Sequence, residues 1–158
     1  MSKNENQWWE KGVRFQCQGS GQCCASHGEY GFVYVTKEDR QNMAKVLGID
    51  ATAFTKKYCN KTNGFFHLKE NIVTTDCVFL QGKKCTVYSA RPTQCRTWPF
   101  WPEAMNAKTW TKEILTFCPG VNKGPVVPAE EIKKQLQQQK DWEAVLDKEA
   151  REHLHSQK

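Results

Sequence analysis

Residues 77–100 read CVFLQGKKCTVYSARPTQCRTWPF. Three cysteines fall in this stretch, with seven residues between Cys77 and Cys85 and nine between Cys85 and Cys95. Glycine, proline and lysine interrupt it, so CTVYS at 85–89 is the one run that reads as a short strand. A segment so broken up is better suited to presenting thiols than to building a regular layer. The fold therefore turns on what those thiols do.

Working outward, FQCQGSGQCC at 15–24 adds Cys17, Cys23 and Cys24, and Cys118 follows Cys95 after twenty-two intervening residues. A thiolate is a soft anionic donor suited to Zn²⁺ or to an iron–sulfur cluster, and a tetrahedral site needs four such donors gathered from separate segments. Glycines beside the thiols let a loop bend around an ion. Neighbouring side chains in extended backbone point to opposite sides, so Cys23 and Cys24 are expected to serve different sites or to bridge two metals. The chain holds eight cysteines, enough for two four-ligand sites. It has no Cys-x-x-Cys pair, which argues against an ordinary zinc ribbon and leaves zinc and iron–sulfur ligation both open.

The whole chain has 158 residues, 39% of them apolar, which suits one domain over 1–158 with a modest core. Mean hydropathy of −0.73 makes a metal or covalent staple useful. The start, MSKNENQWWEKGVRF, has no apolar signal region and no run approaches 18 apolar residues. The expectation is a cytoplasmic protein without a membrane span, where thiols stay reduced and metal binding outranks disulfides. The net charge of +6 is scattered rather than blocked, so no nucleic-acid partner is expected.

The pattern predicts an α+β fold: a small, irregular, metal-stabilised domain with short strands, a few helices and a C-terminal amphipathic helix. GFVYVT (31–36) reads as a strand, and TKEDRQNMAKVLG (36–48) as a helix capped by Thr36 with Asp39, stopped at Gly48, with Met43, Val46 and Leu47 as its stripe. A second short helix is expected after Asp50, with Phe54 and Tyr58 on one side. GFFHL and NIVTT around Lys69-Glu70-Asn71 suggest a hairpin, and GVNKGPVVP (120–128) a linker. From Pro128 to about residue 155, Ile132, Leu136, Trp142, Val145, Leu146 and Ala150 recur at helical spacing.

Phe15-Gln16-Cys17 with Gly21-x-Cys23-Cys24, then Thr36-x-x-Asp39, then the whole of 77–100, then Cys118-Pro119-Gly120 form an ordered set over residues 15–121. This set resembles the YkgJ-type cysteine-cluster family of zinc- or iron-chelating domains. The resemblance implies metal ligation by Cys17, Cys23, Cys24, Cys77, Cys85, Cys95 and Cys118, with zinc or iron bound as an ion or as an iron–sulfur cluster. The family's first cluster reads Cys-x-x-Cys-Gly-x-Cys-Cys, and here Ser20 stands at its second cysteine. Either this member has one ligand fewer, with water, His27 or Cys59 filling in, or that cysteine is not essential.

Cys59 lies outside the pattern and reads first as a buried thiol. His27 reads first as a loop histidine, His67 as a strand residue, and His153 and His155 as parts of a polar tail. Arg91 and Arg96 could offset the charge of nearby thiolates or form surface ion pairs. Trp98, Pro99, Phe100 and Trp101 form an apolar wall that shields a metal or simply packs. Two further function classes stay in view. One is a redox or transfer enzyme using an open metal position or a thiol such as Cys24, for which no phosphate loop, HExxH or dinucleotide motif is present. The other is an interaction module using the Trp8-Trp9 pair or the C-terminal helix for a protein partner.

Overall fold

The computed structural model describes residues 7–17, 33–70, 76–82 and 84–155. It is a small α+β protein in which three two-stranded antiparallel pairs are tied together by helices. The first helix, α1 (Lys37–Leu47), starts where expected. The Thr36 hydroxyl accepts from the Asp39 amide at 3.2 Å and the Asp39 carboxylate accepts from the Thr36 amide at 3.0 Å. Gly48 ends it in the left-handed conformation, φ 70°. Its buried face is Asp39, Arg40, Met43 and Ala44, whereas Val46 is 49% exposed, which corrects the expected stripe. The capping pair sets the helix phase, and that phase turns Val46 to solvent.

Asp50 caps α2 (Ala51–Tyr58) by accepting from the Ala53 amide at 2.8 Å. Phe54 is fully buried, with its ring 5.2 Å from that of Tyr58, as the spacing required. The chain then passes directly into β2 (Cys59–Thr62), which pairs with β3 (Phe65–Leu68). The turn is Asn63-Gly64, with φ of 53° and 85°. Two successive positive-φ residues give the tight hairpin turn that Asn-Gly favours, so Phe65–Leu68 pairs with the strand before it. NIVTT (71–75) lies outside the described residues. Of the expected strand 31–36, the described residues 33–36 form one bridge, Tyr34 to His67, with Val35 donating to Phe66 O at 3.1 Å and Leu68 to Val33 O at 2.9 Å.

The 77–100 segment forms a minimal hairpin of β4 (Leu80–Gln81) and β5 (Lys84–Cys85), a 3₁₀ turn at Tyr88–Ala90 and the short helix α3 (Thr93–Thr97). CTVYS is thus only a strand end followed by a turn. A 3₁₀ turn at Pro102–Ala104 leads to a helical stretch α4 (107–117) whose middle, Trp110–Ile114, is π-helical. The expected linker is instead β6 (Val121–Val127), paired with β1 (Val13–Phe15) through an irregular register. Valines at 121, 126 and 127 give it a strand's side chains, and an extended partner lies across from it only in the folded chain. The last helix, α5 (Ala129–His155), is a single 27-residue element. It buries Ile132, Gln139, Trp142, Leu146 and Ala150 and leaves Val145 47% exposed.

Two apolar clusters form the interior. One gathers Val33, Val35, Met43, Phe54, Leu68, Phe79 and Val87. The other gathers Trp9, Val13, Phe100, Met105, Trp110, Ile114, Val121 and Ile132. Trp9 is 6% exposed, whereas Trp8 is 39% exposed although its indole donates to Met105 O at 2.7 Å, so of the Trp8-Trp9 pair only Trp9 is withdrawn into the interior. No helix among the described residues is long and apolar enough to cross a membrane.

Candidate metal centre

Five of the seven cysteines implicated by the sequence, Cys17, Cys77, Cys85, Cys95 and Cys118, lie among the described residues; Cys23, Cys24, Ser20 and His27 do not. The β1–β6 pair sets the backbone just before Cys17 against the backbone just after Cys118. Phe15 is the partner of Val121, and the Gln16 amide donates to Gly120 O at 3.0 Å. Gly120 is required there, because a Cβ on it would run into the carbonyl oxygen of Gln16. The Cys118-Pro119-Gly120 turn can therefore lie flat against the backbone that leads into Cys17. Cys17 is exposed and Cys118 is half-buried against the second apolar cluster.

Cys77 and Cys85 belong to the first apolar cluster. Cys77 pairs with Glu70 in an isolated bridge, and its carbonyl accepts from the Leu80 amide at 2.9 Å. Leu80 in turn is the β-partner of Cys85. Cys77 is 6% exposed within the first cluster, with Cys85 and Cys95 packed against the same cluster. Cys95 sits on α3, which is clamped from several sides. The Thr93 amide donates to Asp39 Oδ1 at 3.3 Å, the Tyr34 amide to Gln94 Oε1 at 3.0 Å, and the Thr97 hydroxyl to Gln139 Oε1 at 2.9 Å. A five-residue helix cannot hold itself, so these tertiary bonds fix where Cys95 stands.

Among the described residues, no three Cys, His, Asp or Glu side chains stand close enough to hold one ion. Among the described residues, two buried polar atoms have no hydrogen-bond partner, Glu70 Oε1 and Trp98 Nε1. Each lies beside the thiol set. Glu70 is bridged to Cys77, while Trp98 follows Cys95 by three residues and has its ring 5.7 Å from that of Phe117, the neighbour of Cys118. An orphaned buried atom needs a partner. A carboxylate oxygen suits a cation and an indole N–H suits a thiolate or sulfide, so the residues present fit a thiophilic metal.

Cys59 is different in kind. It is 7% exposed in the first cluster, and burial pushes its pKa up to about 11, opposed in part by Arg40 and Lys69. It stays a protonated thiol, in line with the reading as a packing residue. His67 is buried on β3 with its Nε2 2.9 Å from the Thr62 hydroxyl, and burial lowers its pKa, with backbone contact to Leu68 and the charge of Glu70 acting the other way. His153 is not in a free tail, because its Nδ1 is 3.0 Å from Gly64 O and its ring packs on Phe66. Arg91 lies over the Tyr88 ring at 3.8 Å, and Arg96 donates to the Thr93 hydroxyl at 3.2 Å.

Sequence reasoning placed Asp39 as a cap and missed its second task. Its buried carboxylate also takes the Thr93 amide at the head of α3 and the Trp142 indole of α5. The only local signal was the Thr36-x-x-Asp39 pair, which a simple capping box already explains. Gln139 was likewise invisible, since a glutamine within QLQQQK reads as solvated.

The fold and the thiol set define a small α+β cysteine-cluster protein. The chain belongs to the CxxCxxCC family, described as a "Putative zinc- or iron-chelating domain", whose model matches residues 16–119. It is similar to an uncharacterized protein of Methanocaldococcus jannaschii, with 34% identity over 119 residues that make up 72% of this chain and 61% of that protein. The chain thus spans less than two thirds of the length of that relative. No solved structure matches it.

Proposed function

We propose that this protein binds zinc or iron through the thiolates of Cys17, Cys23, Cys24, Cys77, Cys85, Cys95 and Cys118, as single ions or as an iron–sulfur cluster, and that the metal stabilises one domain over 1–158. The observation that carries this reading is the β1–β6 pairing, which joins the backbone before Cys17 to that after Cys118, across about a hundred residues. Cys77, Cys85 and Cys95 gather on one apolar cluster, and Cys23 and Cys24 complete the donor set. The orphaned Glu70 and Trp98 atoms give further support, since Glu70 is the bridge partner of Cys77 and Trp98 follows Cys95 by three residues. Such a protein belongs in a reducing compartment, the cytoplasm.

A bound metal supplies either a rigid cross-link or, as a cluster, a one-electron centre. The test is anaerobic purification followed by an ultraviolet–visible spectrum and assays of zinc, iron and acid-labile sulfide per chain. Brown protein with matched iron and sulfide identifies a cluster, colourless protein with zinc identifies a zinc site, and protein with neither metal refutes the proposal.

A further inference from the structure

We propose that a basic groove between α1, α2 and the β2–β3 hairpin binds a small organic phosphate ester. The groove encloses about 750 Å³ and is lined by Lys37, Arg40, Lys56, Lys61, His153 and Phe66 among others, with no Asp or Glu among its lining residues. That volume lies in the range of small-molecule sites. Its cysteine, Cys59, is outside the family pattern, so the groove is separate from the metal ligands.

Arg40 is the central observation. Its side chain is only 8% exposed, yet among the described residues its bonds go to neutral groups, Nε to Thr36 O at 3.3 Å and a terminal nitrogen to the Thr55 hydroxyl at 3.5 Å. Both are long, and the guanidinium lies 4.1 Å from the centre of the Phe66 ring. Two carboxylates are near enough to favour its charge, Glu149 and Asp39. Both are engaged with other donors. Glu149 accepts the Lys37 amide at 3.0 and 3.2 Å, and Asp39 accepts from Thr36, Thr93 and Trp142. Cys59 stays protonated and adds no negative charge. A buried arginine is ordinarily paired with an anion; Asp39 and Glu149 act on the guanidinium through their charge, but among the described residues neither hydrogen-bonds it, so its remaining N–H donors are left for an anionic ligand in the groove.

Phosphate fits this arrangement better than a carboxylate does. Four full positive charges, Lys37, Arg40, Lys56 and Lys61, suit the dianion of a phosphate monoester near neutral pH. Lys61 Nζ is 5.4 Å from the Phe66 ring centre, so two cations flank one aromatic surface. Phe66 and Ala51 give an apolar wall for the organic part of the ester.

The test is a titration of ¹⁵N-labelled full-length protein, metal-loaded as purified, with phenyl phosphate and separately with inorganic phosphate. The expected result is saturable shifts centred on Arg40, Lys61 and His153, with phenyl phosphate binding more tightly than inorganic phosphate. The double variant Lys56→Glu/Lys61→Glu, made at two exposed positions, should lower affinity at least about tenfold. The control Lys133→Glu/Lys140→Glu makes the same charge change on exposed positions of α5 outside the groove and should leave affinity close to that of the parent protein. No saturation by about 10 mM ligand, equal weakening by both double variants, or equal affinity for the two phosphates would each overturn the proposal.

Discussion

The indole N–H of Trp142 donates to Oδ2 of Asp39 at 2.7 Å across 103 residues of sequence. The same carboxylate caps α1 through the Thr36 amide and holds the Thr93 amide at the start of α3. One buried side chain thus ties together the first helix, the helix that carries Cys95 and the C-terminal helix. Hydrogen bonds to a charged acceptor are the stronger kind, and losing the acceptor strands three buried donors at once.

Replacing Asp39 with Ala is expected to cost about 3 kcal/mol or more, since each stranded donor is worth about 1–3 kcal/mol. Asp39→Asn keeps one acceptor oxygen and should cost less. Urea denaturation of both variants measures the difference. A loss under about 1 kcal/mol for the alanine variant would show that the three bonds are not formed together.

Gly120→Ala places a methyl group against the Gln16 carbonyl, which is backbone and cannot swing aside. The β1–β6 pair must then part, at about 1–3 kcal/mol. If Cys17 and Cys118 share a metal, metal affinity falls together with stability. A thermal melt and metal titration on the same sample read both effects, and an unchanged melt would contradict the close approach.

Cys59 and Cys95 should respond oppositely to substitution. Cys95→Ser should lower metal content, whereas Cys59→Ala should leave it unchanged while costing stability through a small cavity in the first cluster. Metal analysis of the two purified variants decides this. Loss of metal from the Cys59 variant would make that thiol a ligand.

Cys59 also gives a pH dependence. Its folded pKa lies near 11 against an ordinary value of 9.0, so the folded state holds the proton more tightly. Its stabilising effect is complete below pH 9 and is lost as pH rises towards 11, a total of about 2–3 kcal/mol. Iodoacetamide should leave Cys59 unmodified in folded protein at pH 8. Denaturation midpoints for the parent and Cys59→Ala, compared across pH 8–11, should converge as pH rises.

Stripping the metal with a strong chelator is expected to loosen the 15–121 region, seen as a lower melting temperature and a changed circular dichroism spectrum. Unchanged spectrum and melt would mean that the fold stands without metal.

What the sequence determined by itself was local. Thr36 with Asp39, Asp50 and the apolar spacing after Pro128 fix where α1, α2 and α5 begin, Gly48 fixes where α1 ends, and the ordered cysteines with their flanks fix the family. Asn63-Gly64 carried a hairpin-turn signal of the same local kind, which the placement of a turn at Lys69-Glu70-Asn71 passed over. Tertiary structure decided the rest. Whether 120–128 is linker or strand depends on β1 lying beside it, and whether Trp9 is exposed depends on the second cluster closing over it. Asp39 and Gln139 became anchors of α3 only because α5 and α1 pack against it. Caps and turns are bonds between near neighbours, which sequence spacing encodes. The β1–β6 partners and the buried polar anchors join residues some 42 to 114 positions apart, and their energies exist only once the chain has brought them together.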